Sequence, residues 1–276
     1  MKIRNFKNLE DIIKNEKLLI GVVHLKPLPG SPSYMGESIE SIFESALKDT
    51  ECYNKGNFHG VIIENHGDIP FSKPEDIGPE TVALMSVIAD KLREKNKNLF
   101  FGINILANAA IKALSVAMAA KASFIRVNQF TNAYIANEGF LEGLAGKITR
   151  YRRWIGANNV NIFADVHVKH GSHSIVSDRS IEELTRDCEF FGADILIATG
   201  QRTSDSAQIE EVEKIKNSTN LPVLIGSGIS KDNINDYYHS CDGFIVASSL
   251  KYEGNWENSV EMKRINDFKE IFSLLK

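Results

Sequence analysis

Cysteine is scarce in this chain of 276 residues, and the three present, Cys52, Cys188 and Cys241, lie far apart and are odd in number. They build neither a disulfide framework nor a zinc-finger spacing, so a reducing, cytoplasmic compartment is expected. A basic excess is also missing. Thirty-two Lys and Arg stand against thirty-six Asp and Glu, a formal net charge of −4. That balance argues against broad nucleic-acid binding, which draws most of its affinity from a basic surface. Long apolar runs are absent too. Leu18–Val23 is soon followed by His24 and Lys26, well short of the ~18 residues a membrane-spanning helix needs. Met1–Glu16 is charged throughout and lacks the apolar core of a signal peptide. No Gly-x-Gly-x-x-Gly follows the first apolar run, and neither His-x-His nor His-Glu-x-x-His occurs. These absences count against a dinucleotide fold and against the commonest metal motifs.

What the chain does have is alternation. Eight short runs rich in Val, Ile and Phe read as strands: Leu18–His24, Val61–Asn65, Leu99–Leu106, Phe124–Asn128, Asn161–Val168, Asp194–Thr199, Pro222–Gly226 and Gly243–Ser248. They are apolar at nearly every position, as strands covered on both faces of a parallel sheet must be. Helical patterns follow at Ser38–Lys55, Pro79–Lys95, Ala107–Lys121, Leu141–Ile155, Ile181–Phe191, Ala207–Asn217, Ile234–His239 and Asn258–Leu275. Eight such pairs predict an α/β fold, a single (β/α)8 TIM barrel. With no linker or composition step, residues 1–276 are expected to form one domain. Residues 1–17 would be an N-terminal cap centred near Phe6–Lys14, and 18–276 the barrel.

Side chains alternate along a strand, and barrel chemistry sits at the carboxyl ends. The last inward positions are then His24, Glu64, Asn104, Asn128, His167, Thr199, Ser227 and Ser249, all able to hydrogen-bond. The layer below reads Val22, Ile62, Gly102, Arg126, Asp165, Ile197, Ile225 and Ala247. Arg126 and Asp165 interrupt it on neighbouring strands and should pair, because an isolated buried charge is too costly. Asp165, His167 and Lys169 follow at i, i+2, i+4, a spacing that suits proton transfer by imidazole and ammonium. His24 and Lys26 stand at the start of a stiff, proline-rich loop. A divalent metal held by His24, Glu64 and His167 is the alternative use of the same groups. No other cofactor is expected.

The seventh strand runs into Ile225-Gly226-Ser227-Gly228-Ile229, and the eighth into Ser248-Ser249. Small residues let backbone N–H groups approach an anion, and barrels often bind phosphate after strands seven and eight. Thr199 and Arg202 after strand six could extend that site, Arg202 with a bidentate fork.

The segments Gly21-Val-Val-His-Leu-Lys-Pro-Leu-Pro-Gly-Ser-Pro32, Ala164-Asp-Val-His-Val-Lys-His170 and Ile225-Gly-Ser-Gly-Ile229 resemble the BtpA/SgcQ family. The resemblance spans about Leu18 to Phe272 and implies a barrel of the ribulose-phosphate-binding type. Its motif positions fall on His24, Lys26, Asp165, His167 and Lys169, without assigned roles. The family takes its name from photosystem I biogenesis, and other members resemble enzymes of carbohydrate metabolism. The leading expectation is an isomerase, lyase or hydrolase acting on a small phosphorylated sugar or nucleoside-like compound. A non-catalytic assembly factor and a ligand-sensing regulator are the competing ones. Partners would be that metabolite and, compatibly, further copies of the chain, with neither nucleic acid nor a membrane.

Overall fold

A computed structural model describes residues 9–200 and 205–275. Its centre is eight parallel strands: β1 (Leu18–His24), β2 (Gly60–Glu64), β3 (Phe100–Asn104), β4 (Phe124–Val127), β5 (Asn161–Asp165), β6 (Ile195–Ala198), β7 (Val223–Ile225) and β8 (Gly243–Val246). Each pairs with its neighbours in chain order, and β8 returns to β1 with Leu18 opposite Gly243, closing the barrel. The helices are α1 (Leu9–Asn15), α2 (Ile39–Lys55), α3 (Pro79–Lys95), α4 (Ala110–Ala119), α5 (Ala145–Trp154), α6 (Ile181–Phe190), α7 (Ile209–Asn217), α8 (Ile234–Tyr237) and α9 (Met262–Leu274). Among the described residues no helix is long and apolar enough to cross a membrane.

The nearly continuous apolar character of the strands has a direct cause. One face packs into the lumen, through Ile20, Ile62, Phe124, Phe163, Leu224 and Ile245. The other packs under the helices, through Leu19, Val61, Ile103, Ile125, Ile162 and Val223. Each such side chain contributes about 1.5–3 kcal/mol when fully buried. The Phe124 and Phe163 rings stack in the lumen at 4.2 Å. Gly102 makes room for them, since a Cβ there would lie 2.1 Å from the Phe124 ring. Leu9 and Ile12 of α1 join the same lumen cluster next to Leu18 and stopper the amino end. Filled below, the barrel opens at the carboxyl ends of its strands.

Three expectations are corrected. Strand five stops at Asp165 rather than Val168. On β7 the lumen residue is Leu224, while Ile225 packs outward under the helices. That run is apolar on both faces, so it carries no alternation to fix its register. Leu141 begins no helix. It belongs to Gly139–Glu142, which pairs antiparallel with Ala133–Ala136, and that strand also takes Gly171–Ser172 on its other edge. This ribbon folds over the barrel mouth on a small apolar cluster of Ala107, Tyr134, Leu141 and Val168. Of the expected N-terminal cap, residues 1–8 lie outside the described residues, and Leu9–Asn15 is helical.

Candidate active site

A cavity of about 640 Å³ opens at the carboxyl ends of the strands, with the ribbon as one wall. At its base the expected ion pair forms. Arg126 donates from Nε to Asp165 Oδ1 at 2.9 Å and from Nη2 to Oδ2 at 3.0 Å, a bidentate fork. Asn128 Nδ2 adds a longer contact to the same carboxylate at 3.4 Å. Burial works against the guanidinium charge, but Asp165 and Glu64 together outweigh it and hold the pKa of Arg126 above its ordinary value.

Glu64 is the hinge between this pair and the cavity. Its Oε1 accepts from Asn104 Nδ2 at 3.0 Å and lies 3.6 Å from Arg126 Nη1. Its Oε2 faces two imidazoles, 3.8 Å from His24 Nε2 and 3.8 Å from His66 Nδ1. The two rings stack, with centroids 4.4 Å apart and planes 18° apart, and Trp256 meets both edge-on. His24 Nδ1 is 3.2 Å from the Trp256 carbonyl. His66 is held by its loop. Asn65 Oδ1 accepts from the Leu106 N–H, Asn65 Nδ2 donates to Asp68, and Asp68 Oδ1 accepts from the Leu28 N–H. The loops after β1, β2 and β3 are thereby tied together.

Burial, then the neighbouring His66 and Lys251 charges, holds the His24 pKa well below the usual imidazole value. Burial also lowers His66, to about 4, despite the opposing pull of Glu64. Both rings are therefore neutral near pH 7. Lys169, from the chain beyond β5, lines the same cavity; burial and then Arg126 bring its ammonium down to about 8.

Across the cavity the chain after β7 turns at Gly228, whose φ of +67° favours glycine. A Cβ there would strike the Ser206 backbone at 2.3 Å. The Gly228 carbonyl accepts from Ser206 Oγ and Asn233 Nδ2. Ser249 Oγ, on a 3-10 turn over Ser248–Leu250, donates to the Ile229 carbonyl. Among the described residues, no hydrogen bond engages the N–H groups of Gly228, Ile229, Ser248 or Ser249.

His24, Glu64, Asn104, Arg126, Asn128, Lys169, Gly226, Ser227, Gly228, Ser248 and Ser249 thus gather around one cavity, with Asp165 buried beneath. Other expected residues do not join them. Lys26 is exposed and does not line the cavity. His167 leaves the shared face because the strand ends two residues earlier and Val166 and Val168 take the buried positions. Its Nδ1 lies 3.5 Å from Glu211 of α7, and its ring packs on His173. Thr199 is buried and donates to the His167 carbonyl. Arg202 lies outside the described residues. Among the described residues, the three groups close enough to share a cation are His24, Glu64 and His66, not the set with His167. His66 was missed, although it stands two residues past Glu64 and the inward alternation carried one step beyond the strand would have reached it.

The BtpA family model matches residues 15–273. An uncharacterised protein of Pyrococcus horikoshii is 38% identical, covering 95% of this chain and 98% of its own. The photosystem I biogenesis protein BtpA of Synechocystis is 37% identical over 92% of this chain and 88% of its own. Among solved structures, phosphoribosyl anthranilate isomerase of Thermus thermophilus superposes with a TM-score of 0.58 at 10% identity, covering 94% of this chain and all of that one.

Proposed function

The chain belongs to the BtpA family, and from that premise we propose that it is an enzyme acting by acid–base chemistry on a small phosphorylated sugar or nucleoside-like metabolite. One observation carries the proposal. A single cavity holds unengaged backbone N–H groups at Gly228, Ile229, Ser248 and Ser249 on one side and a Lys–imidazole–carboxylate group on the other. The first suits a phosphate, which takes backbone donors where side chains are small. The second suits proton transfer. Lys169, with a pKa near 8, can give or take a proton close to neutral pH, and the Arg126–Asp165 fork fixes Glu64 in place. Isomerisation, carbon–carbon lysis and hydrolysis all use such a step, and the fold likeness to a phosphoribosyl-substrate isomerase agrees with it.

The Synechocystis relative supports a second reading, a non-catalytic biogenesis factor on an enzyme scaffold. Calorimetric titration with inorganic phosphate and ribose 5-phosphate, with mass spectrometry of copurifying small molecules, separates the two. A phosphorylated compound bound by the natural chain and lost in both Gly228→Asp and Ser249→Asp supports the enzyme. Ser249→Asp keeps the test sound if Gly228→Asp unfolds. Absence of any phosphorylated ligand, or binding that ignores both changes, favours the scaffold.

A further inference from the structure

Three atoms able to ligate a cation converge at the cavity wall. His24 Nδ1 faces the Trp256 carbonyl at 3.2 Å. A carbonyl only accepts, so Nδ1 carries the proton and Nε2 the lone pair. That lone pair points toward Glu64 Oε2, 3.8 Å away. His66 Nδ1 also lies 3.8 Å from the same oxygen, is buried, and has no hydrogen-bond partner. Two imidazole nitrogens and a carboxylate oxygen thus crowd one point, all within 4.8 Å of one another. A buried ring nitrogen without a hydrogen-bond partner, as His66 Nδ1 is, carries a desolvation cost that a bound ligand would relieve.

The surroundings are built to keep these atoms where they are. Glu64 spends its other oxygen on Asn104 and Arg126, which leaves Oε2 turned to the cavity. The Trp256 carbonyl fixes one ring, and the Asn65–Asp68 bonds fix the loop of the other. Hydrogen bonds of this kind, one shell out from the donor atoms, orient ligands in metal sites. Two cations stand near the three atoms, Lys251, which is paired with Asp49 at 3.6 Å, and Lys169, and both act on the two imidazoles.

We infer that His24, Glu64 and His66 form a binding site for one divalent transition-metal ion of the zinc class, open on its remaining side to the cavity. Two imidazoles and one carboxylate favour zinc or cobalt over calcium and magnesium, which prefer all-oxygen shells. Ligand distances near ~2.0–2.2 Å require the three groups to close inward by well under an ångström from their present spacing. Three protein ligands leave a position free for water or substrate, the pattern of ions that polarise a carbonyl or activate water. The inference is independent of the phosphate reading.

The test uses the full chain, stripped with a chelator and titrated with Co2+ and then Zn2+ by calorimetry and visible absorption, with phosphate omitted. One equivalent of Co2+ with the absorption of nitrogen-bound cobalt, displaced by Zn2+, is expected. His66→Ala and Glu64→Gln should each weaken binding by more than ~100-fold, beyond what loss of a merely orienting partner costs. If either variant fails to fold by circular dichroism, paramagnetically shifted imidazole signals in the cobalt-loaded natural chain replace it, and two rings are expected. No stoichiometric binding, binding that survives both substitutions, or a loaded protein showing no shifted imidazole overturns the inference. Failure here leaves phosphate binding unaffected, and failure of phosphate binding leaves this result standing.

Discussion

Arg126 neutralises two buried carboxylates at once, Asp165 directly and Glu64 at 3.6 Å. Arg126→Met leaves both without their shared guanidinium, with only the Asn128 and Asn104 amides still bonded to them, and is expected to cost about 3–5 kcal/mol, read from urea denaturation midpoints. An unchanged midpoint would show that water replaces the guanidinium freely. Lys169 behaves in the opposite sense. Its folded pKa, about 8, lies below the ordinary 10.5. Between those values the unfolded chain holds more protons, so stability rises with pH through that window, and the full penalty applies below pH 8. Lys169→Met should therefore stabilise the protein at pH 7, by at most ~3 kcal/mol, and the gain should shrink toward zero by pH 10.5. A gain that does not change with pH would rule out the ionisation as its source. At this scale the sequence was a good guide where alternation ran within a strand, as for Glu64, Asn104, Arg126 and Asp165. It misled at His167, where alternation was carried past the strand end, and it missed His66, where alternation was stopped one step early.

Elements tell a similar story for a different reason. Strands buried on both faces announce themselves as apolar runs, so all eight were legible, while the same uniformity hid the register of β7. The ribbon over Ala133–Ala136 and Gly139–Glu142 was not legible, because its strands are short and Leu141 also fits the helical pattern that follows. It packs on a cluster separate from the main core. Replacing residues 133–142 with a short Gly-Ser link should leave the thermal midpoint within a few degrees, since few core contacts are lost. Affinity for a phosphorylated ligand should fall by roughly tenfold or more as the cavity loses a wall. A collapse of the midpoint would make the ribbon part of the core. At the opposite end, Ile12 is fully buried in the lumen cluster. Ile12→Ala should cost about 2–5 kcal/mol, measured by chemical denaturation, even though α1 is only seven residues long.

For the molecule as a whole, closure of β8 onto β1 leaves no sheet edge at which the barrel could come apart in pieces. Urea unfolding followed by far-ultraviolet circular dichroism and by fluorescence should therefore give coincident transitions; separated ones would divide the chain into more than one domain. The placement of tryptophan has a further consequence for such measurements. The chain has two, and Trp154 is 80% exposed on the far side of α5, whereas Trp256 lies against both candidate ligand rings. Trp154→Phe would leave a single tryptophan, Trp256, at the site. Its emission would then report occupancy of the cavity in real time, with no label attached, because a charge arriving at either ring changes the field across the indole.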